Sequence, residues 1–126
     1  MTILTDEQRM LKDMASAWLR ERMPVAETRA LYDGSGGGRR NGAATWHEDH
    51  FGEMAAMGWT GIVIPQEHGG LEFGYRSMGL VLEECGRTLA ASPLHSSALV
   101  AASALALGGS AAQQAKWLPL IADGSL

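Results

Sequence analysis

Three times along this 126-residue chain a serine or threonine stands three positions before a glutamine or glutamate: Thr5 with Gln8, Thr45 with Glu48, and Ser110 with Gln113. Such a pair satisfies two of the amides that a helix leaves bare at its start, and each pair here is followed by apolar residues once per helical turn. The first segment carries Met10, Leu11, Met14, Ala15, Trp18 and Leu19 and is expected to run over about 6–22, with Pro24 as a stop. The second carries Phe51, Met54 and Ala55 and ends near Gly58; the third carries Ala115, Trp117, Leu118, Leu120 and Ile121, with Pro119 kinking or resetting it at its end. A chain so punctuated is pushed towards helices whose stripes bury one another.

Two further helices fit between these. After the Gly69-Gly70 turn, a helix over about 74–89 puts Met78, Val81, Leu82 and Cys85 on one face. Ser92 and Pro93 then read as a cap and a first-turn proline for a helix reaching about Leu107, built of Leu94, Ala98, Leu99, Ala101, Ala102, Ala104 and Leu105. With no broad charged face, this helix is expected to be largely buried, inside its own domain or against another. The stretch 59–65 is β-branched between glycine and proline, but no second strand candidate exists to pair with it; an extended segment lying across helices is expected rather than a sheet. The glycine-dense run 33–42 has high backbone entropy to lose and nothing apolar to bury, so it reads as a mobile loop. It lacks the Gly-Lys-Ser/Thr ending and the preceding strand of a phosphate-binding loop. The expected fold class is all-α, of helical up-and-down type.

Length supports one domain, 1–126, with a hydrophobic core. A net charge of -4 and no basic cluster denser than Arg39-Arg40 argue against a nucleic-acid partner. The longest apolar stretch, 98–107, is broken by Ser103 and is far below the roughly 20 residues of a membrane span. Acidic residues stand near the N-terminus where a secretory signal is basic, and the one cysteine, Cys85, has no partner for an internal disulfide; a cytoplasmic setting is expected. His47 and His50 could geometrically share a metal, but no third ligand is placed with them, so no metal site is expected. Glu83 and Glu84 are adjacent on a helix and point apart, which disfavours an acid-base dyad; one of them capping or pairing with Arg87 is the simpler role. Trp18, Trp46, Trp59 and Trp117 read as core and interface anchors.

Four ordered segments resemble one family. Leu4-Thr-Asp-Glu-Gln8, Gly58-Trp-Thr-Gly61 with Pro65-Gln-Glu-His-Gly-Gly70, Glu83-Glu-Cys-Gly-Arg87 with Ser92-Pro93, and Gly109 with Gln114, Lys116-Trp-Leu-Pro119 and Ile121-Ala-Asp-Gly124 together resemble the N-terminal domain of the acyl-CoA dehydrogenases. The resemblance implies an FAD-dependent enzyme of three domains, of which a central β domain and a C-terminal four-helix bundle lie beyond this chain. It implies a carboxylate base that removes the α proton of an acyl-CoA thioester while a hydride leaves the β carbon for the flavin, giving the 2,3-enoyl-CoA. That base comes from the C-terminal part, so no catalytic residue is expected here, and no flavin-binding residue can be named. The implied partners are the acyl-CoA substrate, an electron-transfer flavoprotein or similar acceptor, and further subunits in a homo- or hetero-oligomer. The start of the helix after the glutamate-rich one lines the acyl end of the cavity in this family, which on this chain falls on His95, Ser97, Ala98 and Ala101. Small side chains there also permit close helix packing.

The chain departs from the family at Gln66, where glutamate is frequent, at Ser125, and in the longer glycine-rich insertion. Its ending, Asp123-Gly-Ser-Leu126, reads as a turn with an apolar last residue, and the 126-residue piece by itself is expected to be inactive and to hold no tight flavin. Two alternatives stand beside the dehydrogenase reading. One is a non-catalytic helical binding module derived from the same fold; the other is one subunit of a heteromeric steroid-side-chain dehydrogenase.

Overall fold

The computed structural model describes residues 3–34 and 46–126, which fold into helices and tight turns with no strand among them. Its helices are α1 (Asp6–Arg22), α2 (Val25–Gly34), α3 (Glu48–Ala56), α4 (Gly74–Arg87), a π-helical segment (His95–Ala101) running directly into α5 (Ala102–Gly108), and α6 (Ala111–Ala122). The described chain divides into two compact units. One comprises residues up to His47 together with Gly79–Ser92; the other comprises Glu48–Met78 and Pro93–Leu126.

In the first unit α1 begins at the Thr5 capping box: the Thr5 hydroxyl accepts from the Gln8 amide at 3.1 Å and the Gln8 side chain accepts from the Thr5 amide at 3.1 Å. Asp6 and Glu7 lie at its positive end and Arg20 and Arg22 at its negative end, which complements the helix dipole. Ala15, Leu19 and Met23 are buried, whereas Met10 and Met14 are 64% and 55% exposed. The inward stripe is thus rotated from the one expected: it keeps Ala15 and Leu19 and leaves out the two methionines. Pro24 does end α1, but it also opens α2, which sequence reasoning missed. The Pro24 carbonyl accepts from the Glu27 amide at 2.9 Å, and a proline costs nothing at a helix start, where its missing N–H would have had no partner.

α4 closes on a left-handed turn, the Ala90 amide reaching the Cys85 carbonyl at 2.9 Å and the Leu89 amide the Gly86 carbonyl at 3.3 Å. Leu89 occupies the left-handed position at φ 55, which costs a branched residue about 1–2 kcal/mol. The Thr28 hydroxyl of α2 donates to the Leu89 carbonyl at 2.8 Å and helps to hold that turn.

Glu84 ties α1 to α4. It is 4% exposed and accepts from Lys12 Nζ at 2.7 Å and from Arg87 Nε at 3.2 Å, while Arg87 also reaches Glu83 at 3.1 Å. The Arg87 pairing expected of one glutamate is therefore made by both. Burial alone raises the Glu84 carboxyl, but Lys12 and Arg87 together outweigh it and hold the group below the usual glutamate range. A depressed folded-state pKa contributes stability that is present above the unfolded value and is lost as pH falls through the folded one. Thermal melts between neutral and acid pH should accordingly show a shallower acid loss for Glu84→Gln than for the parent chain; parallel curves would show that Glu84 carries none of it.

The second unit is built around a buried cluster of Ile64, Ala102, Leu118 and Ile121, with Val63, Ala101, Leu105 and Ala122 packed on it. α3 starts at Glu48, so the residue ahead of it is His47; Thr45, the expected cap, lies outside the described residues. Phe51 and Met54 are buried as their spacing predicts. The glycine-rich run expected as a loop also lies outside the described residues, except that Asp33 and Gly34 are the last residues of α2.

The segment expected to be extended is instead wound. Gly58 at φ 84 leads into a 3-10 turn over Trp59–Gly61, Ile62 is in the right-handed helical region, and a second 3-10 turn follows over Gln66–His68. Trp59, Thr60, Ile62 and Ile64 are all buried without a strand to pair with. Winding satisfies part of the backbone, and the returning chain satisfies more: the amides of Leu71, Phe73 and Glu72 reach the carbonyls of Gly61, Ile62 and Ile64 at 2.8, 2.8 and 3.0 Å. β-propensity lost to the need to pair buried amides locally.

α6 keeps the Ser110 capping box, the hydroxyl accepting from Gln113 at 3.2 Å and the Gln113 side chain from Ser110 at 2.9 Å. It runs on past Pro119 to Ala122. Its last turn is pinned by Thr60, whose fully buried hydroxyl donates to the Ala122 carbonyl at 2.6 Å. Thr60→Val preserves the shape and deletes the donor, leaving that carbonyl short of a partner. A loss of about 1–3 kcal/mol is expected in a denaturant titration, and an unchanged midpoint would mean that the bond contributes nothing.

Candidate functional site

The four residues expected to line an acyl cavity fall in the π-helical segment His95–Ala101. Here the amide of Ala102 reaches the Ser97 carbonyl, five residues back, as well as that of Leu99. Such widened turns are rare and occur frequently at functional sites. Leu94, Ala98 and Ala102 are buried to 1% exposure or less, a spacing of four taken twice.

The four candidates differ in their surroundings. Ala98 is fully buried within the unit itself, and Ala101 is half-buried against the Ile64, Ala102, Leu118 and Ile121 cluster. Ser97 is half-buried, and its hydroxyl donates to the Leu126 carbonyl at 3.1 Å. His95 is exposed. The outward side chains of this segment include Ser96 and Val100, the latter 53% exposed; neither was named from the sequence.

The surroundings of the segment are free of fixed charge in sequence: from Thr88 to Ala115 there is no Asp, Glu, Lys or Arg. On the far side of α5, the Tyr75 hydroxyl and Ser103 Oγ lie 3.0 Å apart, joining the start of α4 to α5 within the same unit. The Gln114 side chain donates to the Gly109 carbonyl at 3.1 Å and closes the corner between α5 and α6. Within the unit, the buried line of this helix is Leu94, Ala98 and Ala102, and Leu107 is 84% exposed.

Other candidates stay apart. His47 lies 3.9 Å from Glu27 and His68 3.7 Å from Glu67, both at the edge of an ion pair. No group of three or more His, Cys, Asp or Glu side chains among the described residues could hold a metal ion. Burial pushes the Cys85 thiol up to about 11, helped by the charge of Glu84, which makes it a poor nucleophile at neutral pH. No helix among the described residues is long and apolar enough to cross a membrane.

The family model described as "Acyl-CoA dehydrogenase, N-terminal domain" matches residues 5–125. The (2S)-methylsuccinyl-CoA dehydrogenase of Cereibacter sphaeroides is 38% identical over 74 residues, covering 58% of this chain and 14% of that protein. Among solved structures, a variant of the Tcur3481-Tcur3483 steroid ACAD superposes with a TM-score of 0.79 at 30% identity, over 95% of this chain and 30% of the other. The chain thus spans less than a third of the length of either relative. With its helical elements, its ordered motifs and a family match across nearly its whole length, the chain belongs to the acyl-CoA dehydrogenase family, through that family's N-terminal domain.

Proposed function

We propose that this chain is the N-terminal helical domain, residues 1–126, of an FAD-dependent dehydrogenase that converts an acyl-CoA to its 2,3-enoyl-CoA. In this reading the π-helical segment walls the acyl end of the substrate cavity. The observation that supports it most is the coincidence of a widened helical turn, small side chains and a charge-free stretch at 95–101, where the family resemblance puts the wall. An aliphatic or alicyclic acyl group needs an apolar surface and no unpaired charge. Ser97 and His95 are the candidates with accessible side chains, while Ala98 and Ala101 act from behind by letting the segment sit close to the core.

When bound, FAD supplies the acceptor for the hydride from the substrate β carbon. Among the described residues, Lys12 and Arg87 are engaged with Glu83 and Glu84. The flavin and the carboxylate base are assigned to the rest of the parent protein. This chain contributes shape and the exclusion of water, which keeps a base in the parent dry enough to take a proton next to a thioester. An electron-transfer flavoprotein or comparable acceptor, a reducing cytoplasm and an oligomeric parent complete the reading.

The wall is tested in the parent flavoprotein with Ser97→Leu. The larger side chain should lower kcat/KM for bulky acyl-CoA substrates about tenfold, ~1.4 kcal/mol of transition-state stabilisation, and leave short-chain substrates within about twofold. An equal loss for every chain length would remove the wall from 95–101.

A second reading is favoured by the solved relative whose name joins two components as one steroid ACAD. In it this chain belongs to one of two unlike subunits, and the preferred acyl group is a steroid side chain. Flavin retained only when a second, different subunit is co-expressed supports this reading; a homo-oligomer that holds flavin by itself removes it. The non-catalytic module is separated from both by the reading frame past Leu126, which continues into further domains in the enzyme readings.

A further inference from the structure

We draw no further inference here: the strongest candidate, the exposed apolar face that Val100 and Leu107 form along the π-helical segment and α5 beside Tyr75, carries nothing because no feature of the structure shows what covers it.

Discussion

Gly70→Ala is expected to unfold the second unit. A Cβ at this position would lie 2.0 Å from the Ile64 carbonyl oxygen, 2.4 Å from its carbon and 2.6 Å from the Ile64 Cβ. Two of those atoms are backbone, and Ile64 is also part of the buried cluster with Leu118 and Ile121. Nor can Gly70 retreat, since its amide donates to the Pro65 carbonyl at 3.1 Å and the next three amides are bonded to Gly61, Ile64 and Ile62. The turn must therefore open, and the loss should exceed about 4 kcal/mol, the range reserved for a broken core or backbone. Two other glycines set the scale. Gly69→Ala meets nothing within 4 Å but sits at φ 86, so it should cost about 1–2 kcal/mol. Gly52→Ala lies in α3 with open space around it and should gain up to about 1 kcal/mol from helix propensity. Urea titrations of the three variants check the order; a Gly70→Ala midpoint near that of the parent chain would mean that the 58–73 turn is built differently.

Leu118→Ala should cost about 2–5 kcal/mol. Leu118 has no exposed surface and sits among Ile64, Ala102 and Ile121, elements far apart in sequence whose contact defines this core. The cavity also opens beneath the π-helical segment, because Ala101 and Ala102 rest on the same cluster. Amide hydrogen exchange over 98–102 should quicken with the drop in denaturant midpoint. A loss of stability with unaltered exchange there would separate the wide turn from the core on which Ala101 and Ala102 pack.

The helices were largely legible in the sequence because their starts are written locally. Thr5 with Gln8 and Ser110 with Gln113 state where α1 and α6 begin, and neither depends on tertiary context. α2 was hidden because Pro24 reads as a stop, and nothing local distinguishes a proline that ends one helix from one that also opens the next. The 59–65 segment failed for the opposite reason: Ile62 and Ile64 favour a strand by themselves, and only the amides of Leu71, Glu72 and Phe73, arriving from beyond a double glycine, let that stretch wind instead. The candidate wall was legible as a location and not as a set of side chains. His95, Ser97, Ala98 and Ala101 follow from a motif resemblance, which does not say which way each side chain faces; the structure buries Ala98 and leaves Ser96 and Val100 exposed. No short motif encodes a π-helical turn.

Adding saturated acyl-CoA without oxygen to the protein encoded by the complete reading frame, and following its visible spectrum, tests the account most directly. The expected result is a yellow protein whose flavin bands fade as the substrate is dehydrogenated, with enoyl-CoA recovered in proportion. A colourless protein, or a flavin that keeps its bands in the presence of every straight-chain, branched and steroid acyl-CoA offered, would contradict it.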